Sequence, residues 1–541
     1  MDVRRALLPT ALLLAIACGP SSQGTPQAGP QADTPKPGGV LTLREDTDPF
    51  NWDISRQISA PNTVQVVLAY NTLLNFRTGP GVPYEANVIE PELAERWEVS
   101  PDAKTHTFHL RKGVRFANQP PLNGRDLTAA DVKWSIEYYT RSGEFAGQKL
   151  PSSELAFMFP DFDRVETPDP YTVKVHFQKP YAPFTNYAAA RQIVILPKEI
   201  SQRENGFQDF MLGSGPFQLD TTASQKGSRW VFNKNPDYFD RGKPYVDQLR
   251  FFILPEEPTT IAAFTARQLD LVSFEIAQQG GDEIKRLAPN AVLFEYEPNY
   301  PWFPYMNQRV APFNDMRVRK AFSLAIDRDE LIKLINRGRG VPEMPFVFRD
   351  LFSLEEIRQH QPYNPTEARR LLAEAGYAGG VDVETPYVGQ TFGVEYMTVL
   401  QLMQAQLKKV GINLHFKEVD RGAFSAALRS PNFQFILQIG ANLRWDMDVT
   451  MASFEPGSNR NYTAVNDPDL TRLIEAQRAE PDAARRREIV RNASKLISDR
   501  AYGFGLFSRI RYHAWHPQVK GHAPNANFGL RPWPAVIWLD K

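Results

Sequence analysis

Apolar residues recur at every second position through Tyr171, Val173, Val175 and Phe177, the period of a strand with one buried face. The same alternation puts Phe108 and Leu110 on one face of a strand over residues 105–110. A Ser100-Pro101-Asp102 turn separates it from a strand at Trp97-Glu98-Val99. Val40-Leu41-Thr42-Leu43 is the first ordered strand. Helical spacing takes over elsewhere. Thr128, with Asp131 three residues on, opens a helix whose Val132, Ile136 and Tyr139 share a face. Val318, Ala321, Phe322, Ala325 and Ile326 follow the i, i+3, i+4 rule of a buried helix face. Asp327 with Glu330 starts the next helix, which Gly338 closes. Asn364-Pro365-Thr366-Glu367 opens another, with Pro at its first position and Gly376 past its end. Residues 399–410 form a helix stopped by Gly411, after which Ile412, Leu414 and Phe416 alternate as a strand. Strands and helices thus mix along the chain, the second half being more helical. No fixed period repeats, which removes solenoids and propellers.

At 541 residues the chain exceeds what one hydrophobic core organises, so two or three packed lobes are expected. Lys+Arg and Asp+Glu both number 62, and this balance lacks the basic excess of a nucleic-acid binder. The only long apolar run is N-terminal. Arg4 and Arg5 precede an apolar stretch over residues 6–17, the order of a secretory signal and too short to span a bilayer comfortably. Cys18 follows Ala15-Ile16-Ala17 and is the sole cysteine, so no internal disulfide forms. Residues 1–17 are read as the signal and 18–37 as a Pro-, Gly-, Gln- and Ser-rich tether that cannot bury enough apolar surface to order itself.

Motifs for catalysis are thin. There is no Gly-x-Ser-x-Gly, no His-Glu-x-x-His and no phosphate-binding Gly-Lys-Ser/Thr loop. Gly213-Ser214-Gly215 reads as a tight turn into a strand at Phe217. His513, His516 and His522 are the one cluster of metal-ligand type. In an extended segment, i and i+3 side chains point to opposite faces, so these read as ordinary histidines and no metal or other cofactor is expected. Asp446 and Asp448 are carboxylates of the kind a glycoside hydrolase pairs, and spacing alone leaves their separation open.

Several stretches, in order, resemble the bacterial extracellular solute-binding proteins of family 5, the peptide, nickel and oligosaccharide receptors of ABC importers. They are Pro91-Glu92-Leu93-Ala94-Glu95-Arg96-Trp97-Glu98-Val99 with Thr107-Phe108-His109-Leu110-Arg111-Lys112-Gly113-Val114, Gly213-Ser214-Gly215-Pro216-Phe217, and Asn235-Pro236-Asp237-Tyr238. Pro312-Phe313-Asn314-Asp315-Met316-Arg317-Val318 with Ala325-Ile326-Asp327-Arg328, and Tyr363-Asn364-Pro365, continue the series. The resemblance implies an α/β, two-lobe periplasmic-binding-protein-like fold of type II, cluster C, with an extra subdomain in the first lobe. The expected first lobe is 38–298 plus 508–541, with the extra subdomain at about 71–212, and the second lobe is 299–507. The chain would cross between them near residues 296–302 and 504–511.

The resemblance also places Cys18 at a lipobox, as a lipidated, membrane-anchoring residue. It implies an extracytoplasmic, monomeric receptor that closes on a solute and presents it to ABC permease subunits, without catalysis. In the family's peptide receptors, the stretch matching Gly440, Ala441, Asn442, Leu443, Arg444, Trp445, Asp446 and Asp448 carries an aspartate for the peptide α-ammonium. Asn442 and Leu443 stand there instead, so a free amino terminus is not the expected contact. Arg444 would pair with a carboxylate or hydroxyls and Trp445 would stack on a ring, while a core Trp445 and a solvated Arg444 is the alternative. Trp52, Trp302, Tyr305 and Asn307 complete the expected ligand contacts. A secreted carboxylate-dependent hydrolase and a ligand-sensing lipoprotein without transport are the competing readings.

Overall fold

The computed structural model describes residues 34–298, 302–345, 351–439, 446–526 and 533–541. The predicted signal and Cys18 lie outside the described residues, as do Gly440, Ala441, Asn442, Leu443, Arg444 and Trp445.

The first strand, Val40–Glu45, alternates as expected and buries Leu41 and Leu43 completely, each contributing about 2 kcal/mol of transfer free energy. It sits in the middle of a seven-stranded sheet. In spatial order the strands are Val292–Tyr296, Arg511–Trp515, Leu271–Ala277, Val40–Glu45, Gln248–Ile253, Arg229–Lys234 and Phe217–Leu219. Val40–Glu45 runs parallel to Gln248–Ile253 in an unbroken register from Val40↔Gln248 to Glu45↔Ile253. Arg511–Trp515, from near the chain's end, inserts antiparallel between Leu271–Ala277 and Val292–Tyr296. A strand from the last part of the sequence therefore completes this sheet.

An antiparallel four-stranded sheet shares a core with it, ordered Ala94–Val99, Thr105–Leu110, Thr172–Phe177, Phe162–Asp169. Phe108 faces Val173 across it, and both are fully buried. The helix Ala129–Thr140 covers this sheet on the predicted face, with Val132, Ile136 and Tyr139 inside. Asp131 fixes its start, accepting from Thr128 N at 2.9 Å. Arg125 braces the same carboxylate, donating to its two oxygens at 2.7 and 3.0 Å. At Gly213 and Gly215 the sequence predicted a tight turn, and the structure adds a close approach. A Cβ on Gly215 would lie 2.5 Å from Ala69 C and Leu68 O, so only glycine lets the loop pack against the end of the Ala60–Ala69 helix. Ser214 Oγ, buried, donates to Asn71 Oδ1 at 2.9 Å.

Between Val292–Tyr296 and Arg511–Trp515 in sequence, the chain forms the parallel pair Val381–Tyr387 and Ile412–Glu418 and the antiparallel pair Trp302–Met306 and Phe435–Ile439. The helix Met316–Leu324 starts under Asp315, which accepts from Arg317 N, and buries Val318, Ala321 and Phe322. Ala325 and Ile326 are also buried but lie past its last turn. Asp327 caps Arg328–Ile335 through Glu330 N, and Gly338 at φ +82° lies three residues past that helix's end. Pro365–Glu374 is capped by Asn364. The helix predicted over 399–410 extends further back and runs Gly389–Lys408, burying Tyr396, Val399, Met403 and Leu407.

The apolar interior divides into several cores. One gathers faces of both the seven-stranded and the four-stranded sheet, a smaller one lies on the strands Leu271–Ala277 and Arg511–Trp515, and others form around Phe322 and Val399 and around Met451. Val449 packs into the first of these cores.

Candidate ligand site at the seam between the lobes

Three elements meet around Trp302: the strand Trp302–Met306, the segment leading into Arg511–Trp515, and the helix Gly389–Lys408. Trp302 is 2% exposed, with its ring stacked on Tyr396 at 6.5 Å and tilted against Phe507 at 5.8 Å. The Arg509 guanidinium lies 5.6 Å from the Trp302 ring centre. The Trp302 indole N–H finds no hydrogen-bond partner among the described residues. A buried donor left unpaired carries a desolvation penalty, so it marks a position where an acceptor is wanted.

Beside it, Arg509 Nε and Arg511 Nη2 both donate to Glu395, at 3.2 and 2.6 Å. Burial pushes the Glu395 carboxyl up, but the Arg511 and Arg509 charges prevail and hold it down at about 2. Glu395 belongs to the helix Gly389–Lys408 and Arg511 to a strand of the seven-stranded sheet, so this ion pair ties the two together. The sequence reading missed all three residues. The available signal was two arginines two apart inside an otherwise apolar stretch, Phe507-Ser508-Arg509-Ile510-Arg511-Tyr512, where strand alternation points both the same way.

On the strand Arg511–Trp515, His513 is buried, and neither ring nitrogen has a hydrogen-bond partner among the described residues. It meets Tyr296 edge-on at 4.6 Å and lies parallel to His522 at 6.0 Å. Burial pushes the His513 imidazole well below its usual range and His522 down to about 3, so both are neutral at pH 7. His516 points elsewhere, stacking on Phe264 at 4.3 Å and contacting Phe264 O at 3.0 Å. Among the described residues no three His, Cys, Asp or Glu side chains gather as a metal site.

The other residues singled out in the sequence are placed as follows. Trp52 is buried in the first lobe, donating to Gln65 Oε1 at 3.2 Å and meeting Trp230 edge-on at 5.0 Å. Tyr305 is buried and stacks on Phe303 at 5.9 Å. Asn307 donates to Pro431 O and Phe433 O, both at 2.8 Å, and so ties the Trp302–Met306 strand to its neighbour.

Asp446 and Asp448 are buried and saturated by protein donors. Asp448 accepts from Gln477 and Arg478 at 2.6 Å on Oδ1, and from Tyr181 and Tyr187 at 3.0 and 3.2 Å on Oδ2. Asp446 accepts from Arg486 Nη1 and Asn186 Nδ2, both at 2.7 Å. Burial, reinforced by the Asp448 charge, pushes the Tyr181 and Tyr187 phenols well above their usual range, which keeps them as neutral donors.

Residues 88–462 match the family described as bacterial extracellular solute-binding proteins, family 5 Middle. The dipeptide-binding protein of Escherichia coli K12 is 27% identical over 484 residues, covering 84% of this chain and 86% of its own length. Heme-binding protein A of Haemophilus influenzae is 24% identical over 480 residues, 84% of each chain. Among solved structures, the periplasmic binding protein DppA of Helicobacter pylori in complex with the peptide STSA has a TM-score of 0.78 at 22% identity, over 94% of this chain and 99% of that one. AgaA of A. tumefaciens R10 in complex with agropinic acid has a TM-score of 0.78 at 23% identity, over 93% and 99%. These likenesses give the two-lobe periplasmic-binding-protein fold, and the relatives are binding proteins rather than enzymes. With the family match spanning well over half of its length, the chain belongs to the bacterial extracellular solute-binding proteins, family 5.

Proposed function

We propose that this protein is an extracytoplasmic receptor that captures a peptide-like solute at the seam between its lobes and delivers it to an ABC permease. The observation that carries the reading is the Trp302 N–H, unpaired among the described residues, beside the Glu395–Arg509–Arg511 cluster, at a place to which both lobes contribute. A ligand touching both lobes stabilises the closed form by its differential contacts, which is the physical basis of capture by hinge closure. The segment Gly440, Ala441, Asn442, Leu443, Arg444 and Trp445 follows the strand Phe435–Ile439 directly in sequence, and that strand pairs with Trp302–Met306. It holds no acid for an α-ammonium, while Arg444 and the Trp302 N–H offer donors to a carboxylate. The ligand we favour is therefore recognised through its carboxylate end. The peptide-binding and agropinic-acid-binding neighbours are consistent with such a solute. Cys18 would tether the mature protein to the membrane, which acyl-group detection by mass spectrometry of the mature N-terminus tests.

Thermal-shift and calorimetric titration with free, N-acetylated and C-amidated dipeptides, with oligosaccharides for comparison, tests the reading. Acetylated and free dipeptides should bind equally, and amidated ones at least tenfold more weakly. Binding that demands a free amino terminus, or that ignores the carboxylate, contradicts the ligand assignment.

A further inference from the structure

The lobes also meet on the face where the extra subdomain touches the second lobe. Here the contact is made by side chains from segments distant in sequence. Tyr181, Asn186 and Tyr187 lie in and just before the short helix Phe184–Ala188 and reach Asp448, Asp446 and Asp448 respectively. Ala182 N donates to Arg478 O at 2.8 Å, and Arg478 lies 5.8 Å from the Tyr181 ring centre. Outside this buried group, Lys179 pairs with Glu475 at 3.2 Å, and the Arg460 guanidinium lies 4.7 Å from the Phe157 ring centre.

We infer that Asp446 and Asp448 are the second-lobe half of a latch, with Tyr181, Asn186 and Tyr187 as the first-lobe half, which favours the closed arrangement of the lobes. They act as positioning residues. Two observations support this assignment. Each aspartate has donors from both lobes. Asp448 keeps Gln477 and Arg478, and Asp446 keeps Arg486, when the first-lobe donors withdraw. The carboxylates are thus never left as buried, uncompensated charges, and the latch can open without the penalty of breaking a buried ion pair. Second, Val449, next to Asp448, is buried in the core that Tyr181 and Tyr187 share, so release also exposes an apolar side chain. Closure is favoured by three side-chain hydrogen bonds to carboxylates, one backbone bond and one apolar contact.

This inference rests on the reading of solute capture by lobe closure, and its test is arranged so that the two fail separately. The full chain carrying Tyr181→Phe and Tyr187→Phe keeps both rings and loses both hydroxyls. Hydrogen exchange and small-angle scattering are measured first without ligand. Amides of residues 181–189 and 447–451 should exchange at least tenfold faster than in the parent, and the radius of gyration should increase. Amides of Val40–Glu45 and Met316–Leu324 should be unchanged. A merely structural role would instead speed exchange throughout the four-stranded sheet. Asn186→Ala, which removes one surface-side donor, should move the same two segments less, and it serves if the double variant does not fold. Unchanged exchange at 181–189 and 447–451 with unchanged scattering overturns the latch, whether or not a solute is known. Where the parent binds a dipeptide, the double variant should bind it about tenfold more weakly, and equal affinity overturns the latch's role in closure.

Discussion

Replacing Glu395 by Gln removes the charge that Arg509 and Arg511 share while keeping the side chain's size. The two guanidinium groups are nearly buried and Glu395 is about a fifth exposed, so the pair is only weakly screened by solvent. The carboxyl is depressed from its ordinary 4.5 to about 2, which corresponds to about 3 kcal/mol of stabilisation at neutral pH. Breaking a buried ion pair by removing one partner costs about 3–5 kcal/mol in general, the same range. The sign follows from the direction of the shift. A carboxyl whose folded pKa is depressed stabilises the fold fully above about pH 4.5, and that contribution is lost as the pH falls through about 2. Urea unfolding of parent and Glu395→Gln, followed by tryptophan fluorescence, should therefore differ by about 3 kcal/mol at pH 7. The difference should shrink steadily below pH 4.5. A difference under about 1 kcal/mol at pH 7, or one that does not change with pH, would refute the ion-pair argument.

Two further substitutions probe the seam and the scaffold. Trp302→Phe keeps an aromatic ring against Tyr396 but removes the unpaired N–H, so solute affinity should fall about tenfold, near 1.4 kcal/mol, with little change in melting temperature; unchanged affinity would show that the donor meets no ligand. Gly215→Ala places a Cβ 2.5 Å from the Ala69 and Leu68 backbone, which cannot yield as a side chain tip would, and should lower stability by about 1–3 kcal/mol by urea titration, whereas a neutral outcome would contradict the close approach.

Where one face of an element is buried, its period was legible in the sequence. Phe108 and Leu110 alternate into the core, Val132, Ile136 and Tyr139 line one helix face, and Asp327 and Asn364 cap the helices they precede. Boundaries were less legible. The Gly389–Lys408 helix begins ten residues before the periodic stretch that announced it, and Ala325 and Ile326 are buried without being helical. Burial after a helix end depends on tertiary packing, which local spacing does not encode. The site was legible only in part. Trp302 was singled out from its neighbourhood, but Glu395 lies more than a hundred residues from Arg509 and Arg511, and nothing local in the chain links them. Asp446 and Asp448 were singled out as ligand contacts. Their commitment to Tyr181, Tyr187, Asn186, Arg478 and Arg486 depends on the subdomain docking against them, which is a property of the assembled lobes.

Binding and closure can be read together by titrating the full chain with an N-acetylated dipeptide while following heat and small-angle scattering on the same samples. The account predicts saturable one-to-one binding, accompanied by a decrease in radius of gyration in the Tyr181→Phe, Tyr187→Phe variant, whose lobes start apart. Heat without contraction in that variant, or no binding by any dipeptide to the parent, would contradict capture of a peptide-like solute by closure of the two lobes.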